Sequence, residues 1–196
     1  MTLAGLLLAA LLVQPGPGGL TEAQAAAFEQ KLAAIVAAAA APKGAARSRR
    51  ATTVPQDELN AYLHYAGPDV LPAGVTNAFV TLHGQGRVAA RAVVDLDEVR
   101  RTRSSGSLLD PRSYLTGRLP LTLTGLLTTA EGTARFAIER ADVGGVPVPA
   151  AFVHEIVAYY SRSDEYPRGI DLVNGFRLPA EIERLEVATG RLVVVQ

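Results

Sequence analysis

The 196 residues contain no cysteine and no tryptophan, and only one methionine. Without cysteine there are no disulfides, no thiolate metal sites and no cysteine nucleophile. The absence leaves the compartment open, because many exported proteins lack disulfides. Histidine is scarce: His64, His83 and His154 fall in three different predicted elements. None has a second ligand at a spacing such as His-x3-His, so no metal or other cofactor is expected. A surplus of charge is missing too. Lys plus Arg and Asp plus Glu are 19 each, a formal net charge of zero. That leaves no electrostatic footprint for nucleic acid. Aromatics are 6% and are not interleaved with Lys or Arg, which argues against a stacking platform for single strands.

Catalytic signatures are also lacking. Ser161, Ser163, Asp164 and His154 are near one another in sequence, but no Gly-x-Ser-x-Gly elbow accompanies them. Asp95, Asp97 and Glu98 read as a charged strand end. "HGQGR" joins two strands and has no following helix to bind a phosphate. "VGGVPVP" reads as a bend between a strand and a helix. The expectation is a non-enzyme.

What the chain does have is apolar content: 48% hydrophobic against 19% charged, enough to fold around a core. Leu3–Val13, "LAGLLLAALLV", is too short for a membrane span of about 20 residues. With the helix-breaking "QPGPGG" behind it, it reads as the core of a secretory signal over residues 1–19, although no basic residue precedes it. Export to the periplasm or cell envelope is therefore expected, the alternative reading of the run being a buried N-terminal helix.

Residues 20–50 read as an alanine-rich helix and a basic linker. Thr21 and Gln24 form a capping box, and Phe28, Leu32, Ile35 and Val36 make one narrow apolar stripe. "RSRR", Arg47 to Arg50, is a solvated loop on the plain reading and a peripheral contact with anionic lipid heads on the functional one.

Residues 51–196 read as a single α+β domain. A second helix is expected from Thr53 as N-cap with Pro55 in the first turn, carrying Leu59, Tyr62 and Leu63 on one face and closed by Gly67-Pro68. The period then changes to two. One hairpin turns at "HGQG", with Val88, Ala90, Ala92, Val94 and Leu96 on one face. Asp110–Gly117 reads as one or two helical turns. A second hairpin turns at "AEGT", with Leu119, Leu121, Leu123 and Leu127 opposed to Thr122, Thr124 and Thr128. In its return strand, Ala134, Phe136 and Ile138 oppose Arg135, Ala137 and Glu139. One apolar face and one wet face is the antiparallel signature. Pro149 opens a helix with Phe152, Val153, Ile156, Val157 and Tyr160 on one face. The closing hairpin turns at Thr189-Gly190. Its misphased Ile182 and Leu185 predict a bulge or bend near Arg184, and its Val193 predicts a last strand covered on both faces.

The fold class expected is thus a curved antiparallel sheet of hairpins packed on two or three helices. An apolar sheet face must be covered. The available helices leave two outcomes, a packed core or an apolar groove for a long ligand. The lining of such a groove would be Leu121, Leu123, Phe136, Ile138, Phe152, Ile156 and Tyr160.

The helix with "ELNAYL", the strands of "AFVTLHGQGRVAARAVVDL" and the ending "LPAEIERLEVATGRLVVVQ" together resemble small bacterial envelope domains of the tubular lipid-binding (TULIP-like) type. The ending places Leu178-Pro179, Ile182, Leu185, Val187, Gly190, Leu192 and Val194 in that family's arrangement. The likeness covers about Val54 to Gln196. It implies a long antiparallel sheet wrapped round a helix, with a cleft for a lipid. The functional expectation is an exported, non-enzymatic binding protein for a lipid-like or other apolar ligand. The alternative is a structural or assembly protein of the envelope that binds a protein partner and no small molecule.

Overall fold

The computed structural model describes residues 19–41, 49–95, 97–98, 117–162 and 166–196, without the side chain of Tyr160. Residues 1–18 of the expected signal segment, residues 42–48 of the linker, Leu96 and most of the turn expected over Asp110–Gly117 lie outside the described residues. The chain is an α+β protein whose strands pair antiparallel throughout, in two open sheets.

Helix α1 (Glu22–Ala40) starts as its capping box dictates. Thr21 Oγ1 accepts from the Gln24 N–H at 3.2 Å, and Gln24 Oε1 accepts from the Thr21 N–H at 2.8 Å. Its stripe is only partly used. Ile35 is buried, while Leu32 is 41% and Val36 54% exposed.

The expected helix start at Thr53 is a strand instead. Thr52, Thr53 and Val54 are three β-branched residues in a row, which favour extended pairing. They form β1 (Ala51–Pro55), in register with the valines near the C-terminus: Thr53 faces Val193. Helix α2 (Gln56–Tyr65) begins one residue after the strand, with Pro55 at its N-cap and no side-chain cap. A one-turn helix α3 (Gly67–Val70) follows. Helix α1 lies on α2, with the Phe28 and Tyr62 rings 4.7 Å apart and Lys31 paired to Glu58 at 2.6 Å.

The long sheet has the order β2 (Val75–Gly84), β3 (Arg87–Asp95), β4 (Arg118–Ala130), β5 (Thr133–Val143), β6 (Val146–Pro147). Strand β7 (Phe176–Arg177) pairs with the start of β5. Both long hairpins close as expected. Gln85 and Gly86 have φ 53 and 80, and Glu131 and Gly132 have φ 49 and 73, the type I′ pattern that matches strand twist. Helix α4 (Ala150–Tyr160) opens after Pro149, as its sequence predicts, and packs beside β5.

The short sheet has the order β1, β9 (Arg191–Val195), β8 (Arg184–Ala188). Strand β9 is central. Successive residues point to opposite faces, and Val194 and Val195 are 5% and 3% exposed, so both of its faces are covered as expected. No bulge lies near Arg184. Ala180 and Glu181 instead take left-handed φ values of 53 and 52, and β8 begins only at Arg184, which leaves Ile182 outside the strand.

The outer edge of β8 is stitched to the hairpin ends of the long sheet. Thr129 Oγ1 accepts from the Leu185 N–H at 2.9 Å and donates to the Leu185 carbonyl at 2.8 Å. The Gly190 N–H donates to the Leu82 carbonyl at 2.9 Å, and the Gly132 N–H to the Glu183 carbonyl at 2.8 Å. From the basic linker, Arg49 reaches Glu183 at 3.1 Å.

Candidate binding site

Register assembles one apolar face across the long sheet. On β2 and β3, Val75 faces Val94, Val80 faces Ala90 and Leu82 faces Val88. On β3 and β4, Ala90 faces Leu123, Ala92 faces Leu121 and Val94 faces Leu119. On β4 and β5, Leu121 faces Val143, Leu123 faces Ala141, Gly125 faces Ile138 and Leu127 faces Phe136. A shift between Thr124 and Gly125 adds Glu139 to β5 and keeps both stretches of that strand apolar on the same side.

The four sheet residues expected to line a groove, Leu121, Leu123, Phe136 and Ile138, therefore share this face. All four are half-buried. So are Val88, Ala90, Ala92, Val94 and Leu119 on the two middle strands. Among the described elements, the helices make their main approaches to this sheet at its outer strands: α2 and α3 on β2, and α4 on β5. Among the described residues, the middle strands β3 and β4 are where helices cover the apolar face least.

Gly125 shapes this face. A Cβ there would lie 2.6 Å from the Phe136 ring and 2.6 Å from the Ala137 carbonyl. Its bare backbone lets the Phe136 ring lie down on the sheet, a close approach only glycine permits.

The helix side of the expected groove is less complete. Val153 is buried and Phe152 half-buried, but Ile156 is 39% exposed. Tyr160 belongs to α4, and its side chain lies outside the described residues.

Sequence reasoning missed a different concavity, on the far side of α4. A cavity of ≈ 480 Å³ is lined by His154, Glu155 and Ala158 from the helix and by residues 168–172 of the following loop. None of the seven expected groove residues borders it. His154 and Ala158 each lie two residues, about 200° round the helix, from Phe152 and Ile156. The loop is pinned onto the helix. Ser161 Oγ donates to the Val157 carbonyl at 2.6 Å and accepts from the Ile170 N–H at 2.7 Å. Gly169, at φ +80, approaches so closely that a Cβ would overlap the Ala158 carbonyl. Asp171 closes an Asx turn: its Oδ1 accepts from the N–H groups of Val173 and Asn174 at 3.0 and 2.9 Å, and its Oδ2 from Asn174 Nδ2 at 2.8 Å. The Asn174 side chain is the main reason the Asp171 carboxyl titrates below its ordinary range; the amides of Asn174 and Val173 and the nearby His154 act in the same direction. Ser161 and His154 carried a sequence signal here, as a serine and a histidine close in sequence. The Ser161 hydroxyl is committed to the loop.

Other polar residues have structural roles. Asp95 Oδ1 accepts from the N–H groups of Asp97 and Glu98, both at 3.0 Å. Asp97 Oδ2 accepts from the Gly117 N–H at 3.0 Å. His64 and His83 are exposed. Among the described residues no cluster of three metal-ligating side chains exists, and no helix is long and apolar enough to cross a membrane.

No family model matches the chain, and neither a curated protein nor a solved structure is similar to it.

Proposed function

We propose that this chain is a non-enzymatic binding protein for a long apolar ligand of lipid type, held on the apolar face of the long sheet. The observation that carries the reading is the state of strands β3 and β4. Val88, Ala90, Ala92 and Val94 stand in register with Gly125, Leu123, Leu121 and Leu119, one continuous apolar surface that is only partly buried except at Gly125. Burying apolar surface is worth about 25 cal/mol per Å². An extended hydrocarbon laid along such a surface gains free energy from every methylene, about 0.8 kcal/mol each, without needing a specific polar contact. Selectivity would then come from the length of the face and from Phe136, whose ring rests on Gly125. The resemblance to tubular lipid-binding domains carries the same expectation. So does the apolar segment Leu3–Val13, which on this reading exports the chain to the envelope, where lipids are the abundant apolar ligands.

The test is native mass spectrometry of the full chain purified from cells, with displacement of a fluorescent long-chain fatty acid as the second readout. A co-purifying lipid and saturable probe binding are expected. Leu123→Asp, which places a carboxylate in the middle of the face, should weaken the probe at least about tenfold, since an unpaired charge against hydrocarbon costs several kcal/mol. A chain that carries no lipid and binds no probe would remove the reading. It would leave the alternative, an envelope assembly protein that meets a partner through exposed apolar residues such as Val146, Tyr159 and Val173.

A further inference from the structure

The cavity behind α4 has features that the apolar face does not explain. It is a cleft of ≈ 480 Å³ open to solvent on one side, and its walls carry both signs of charge. The helix wall presents His154 and Glu155, and the loop wall presents Arg168 and Asp171. His154 Nε2 is buried and reaches no hydrogen-bond partner. A buried polar atom left in that state costs roughly 1–3 kcal/mol, and His154 itself lines the cavity. Arg168 is exposed at the rim and has no hydrogen bond or ion pair to another described residue. Asp171 accepts three hydrogen bonds, two at Oδ1 and one at Oδ2. A carboxylate offers about four acceptor positions, so Oδ2 keeps one. The same three bonds hold Asp171 ionised, and they fix its direction.

The site is also built in advance. The Ser161 hydroxyl ties Ile170 to Val157, and Gly169 sits against Ala158. The Asx turn sets residues 171–174. A loop held at three points forms a pocket whose ordering is complete before a ligand arrives, which lowers the entropic cost of binding.

We propose that this cavity binds a small zwitterion, a molecule with an oxyanion and an ammonium group, the oxyanion between His154 and Arg168 and the ammonium against Asp171. A simple anion would meet Asp171 and Glu155 as well as Arg168. A simple cation would meet Arg168. A molecule with both charges, its poles matched to the basic and acidic side chains, satisfies the set. Two sources share this chemistry, a free zwitterion of the size of phosphoethanolamine and the headgroup of a zwitterionic phospholipid. No residue of this cavity belongs to the sheet face, so the proposal stands or falls separately from the apolar-ligand reading.

The test uses the full chain, with the His154 imidazole followed by NMR during titration. The probes are phosphoethanolamine, ethyl phosphate, ethanolamine and vesicles of phosphatidylethanolamine. Saturable shifts at His154 are expected with phosphoethanolamine, and binding at least about tenfold weaker with either half-molecule. Arg168→Gln changes an exposed side chain and should leave folding intact. It should weaken phosphoethanolamine at least about tenfold, as should His154→Gln. If free phosphoethanolamine binds as tightly as the vesicles do, the source is a soluble zwitterion. If the vesicles bind at least tenfold more tightly, and Arg168→Gln abolishes that binding, it is a headgroup. Equal binding of ethyl phosphate and phosphoethanolamine would overturn the proposal. So would unchanged affinity in folded Arg168→Gln, or no shift at His154 with any probe.

Discussion

Asn60 pairs with Val80 as though it were a strand. Its Nδ2 donates to the Val80 carbonyl at 2.8 Å, and its Oδ1 accepts from the Val80 N–H at 2.7 Å. One turn earlier on α2, Gln56 Oε1 accepts from the Leu82 N–H at 2.7 Å. The spacing makes this possible. Four helical residues rise about 6.0 Å, and two strand residues rise about 6.6 Å. Two side chains on one helical stripe can therefore meet alternate residues of β2. The outer edge of the long sheet is closed here by amide side chains, which protects it from pairing with another chain. Thr129 does the same for Leu185 at the edge of β8.

Replacing Asn60 tests this device. The residue is 0% exposed, so Asn60→Ala leaves a buried N–H and a buried carbonyl on Val80 without partners. At roughly 1–3 kcal/mol for each unsatisfied group, a loss of about 2–6 kcal/mol is expected. The free energy of unfolding extrapolated from urea melts should fall by that amount. Gln56→Ala, which removes one bond, should cost about half as much. Equal, small effects from the two would show that water replaces the amides and that α2 is not an edge cap.

Gly125 offers a second test. Gly125→Ala brings a Cβ to 2.6 Å from both a side-chain ring and a backbone carbonyl. The ring can move but the carbonyl cannot without shifting the β4–β5 pairing. Overpacking of this kind costs about 1–3 kcal/mol. Adding Phe136→Leu should therefore recover part of the loss and not all of it. A double-mutant cycle by urea unfolding reads the split, and full recovery would place the whole clash on the ring.

Much of the fold was legible because alternation and turn chemistry agree over long stretches. Leu119, Leu121 and Leu123 are set against Thr122 and Thr124, and the type I′ turns sit at Gln85-Gly86 and Glu131-Gly132, where the sequence places them. Strand β1 was hidden because Thr53 and Pro55 also make a good helix start. Only its partner, Val193, which is 140 positions away in the chain, decides between the two readings. The edge clamp was hidden for a related reason. Asn60 sits among Leu59, Tyr62 and Leu63, and apolar periodicity assigns the inward face to the large residues, whereas the deepest side chain is the amide. The cavity behind α4 carries no periodic signal. It is made by Gly169 and Ser161, ordinary loop residues whose roles depend on the helix they touch.

The Asx turn at Asp171 predicts a local pH dependence. The carboxyl is held below its ordinary value first by the Asn174 side chain. A depressed carboxyl contributes stability that is complete above the unfolded value, near pH 4, and is lost as pH falls through the lower folded value. The Val173 and Asn174 amide signals should therefore stay constant down to about pH 4 and shift only below it. In Asp171→Asn the inflection should vanish. An inflection at or above pH 4 in the parent chain would contradict the bonding seen here.

Strand β9 gives the most severe prediction. It lies between β1 and β8, so the short sheet has no pairing at all without it. Truncation before Leu192 removes Leu192, Val193, Val194 and Val195, of which the last two are almost fully buried. Apolar burial is worth about 1.5–3 kcal/mol per valine or leucine. The four therefore approach the whole 5–15 kcal/mol by which domains of this kind are stable. The cut also removes Gln196, whose Nε2 donates to the carbonyls of Ile35 and Ala180 at 2.9 and 2.7 Å and so ties α1 to the turn before β8. β8 would lose its only strand partner among the described residues. Its outer edge, stitched to Thr129 and Gly132, would hold the chain to the long sheet on one side alone. Loss of the cooperative thermal transition, together with aggregation on size-exclusion chromatography, is the expected outcome. A monomeric truncation with a sharp transition would mean that the long sheet folds without the short one, and that β9 is an accessory to the domain rather than its closing strand.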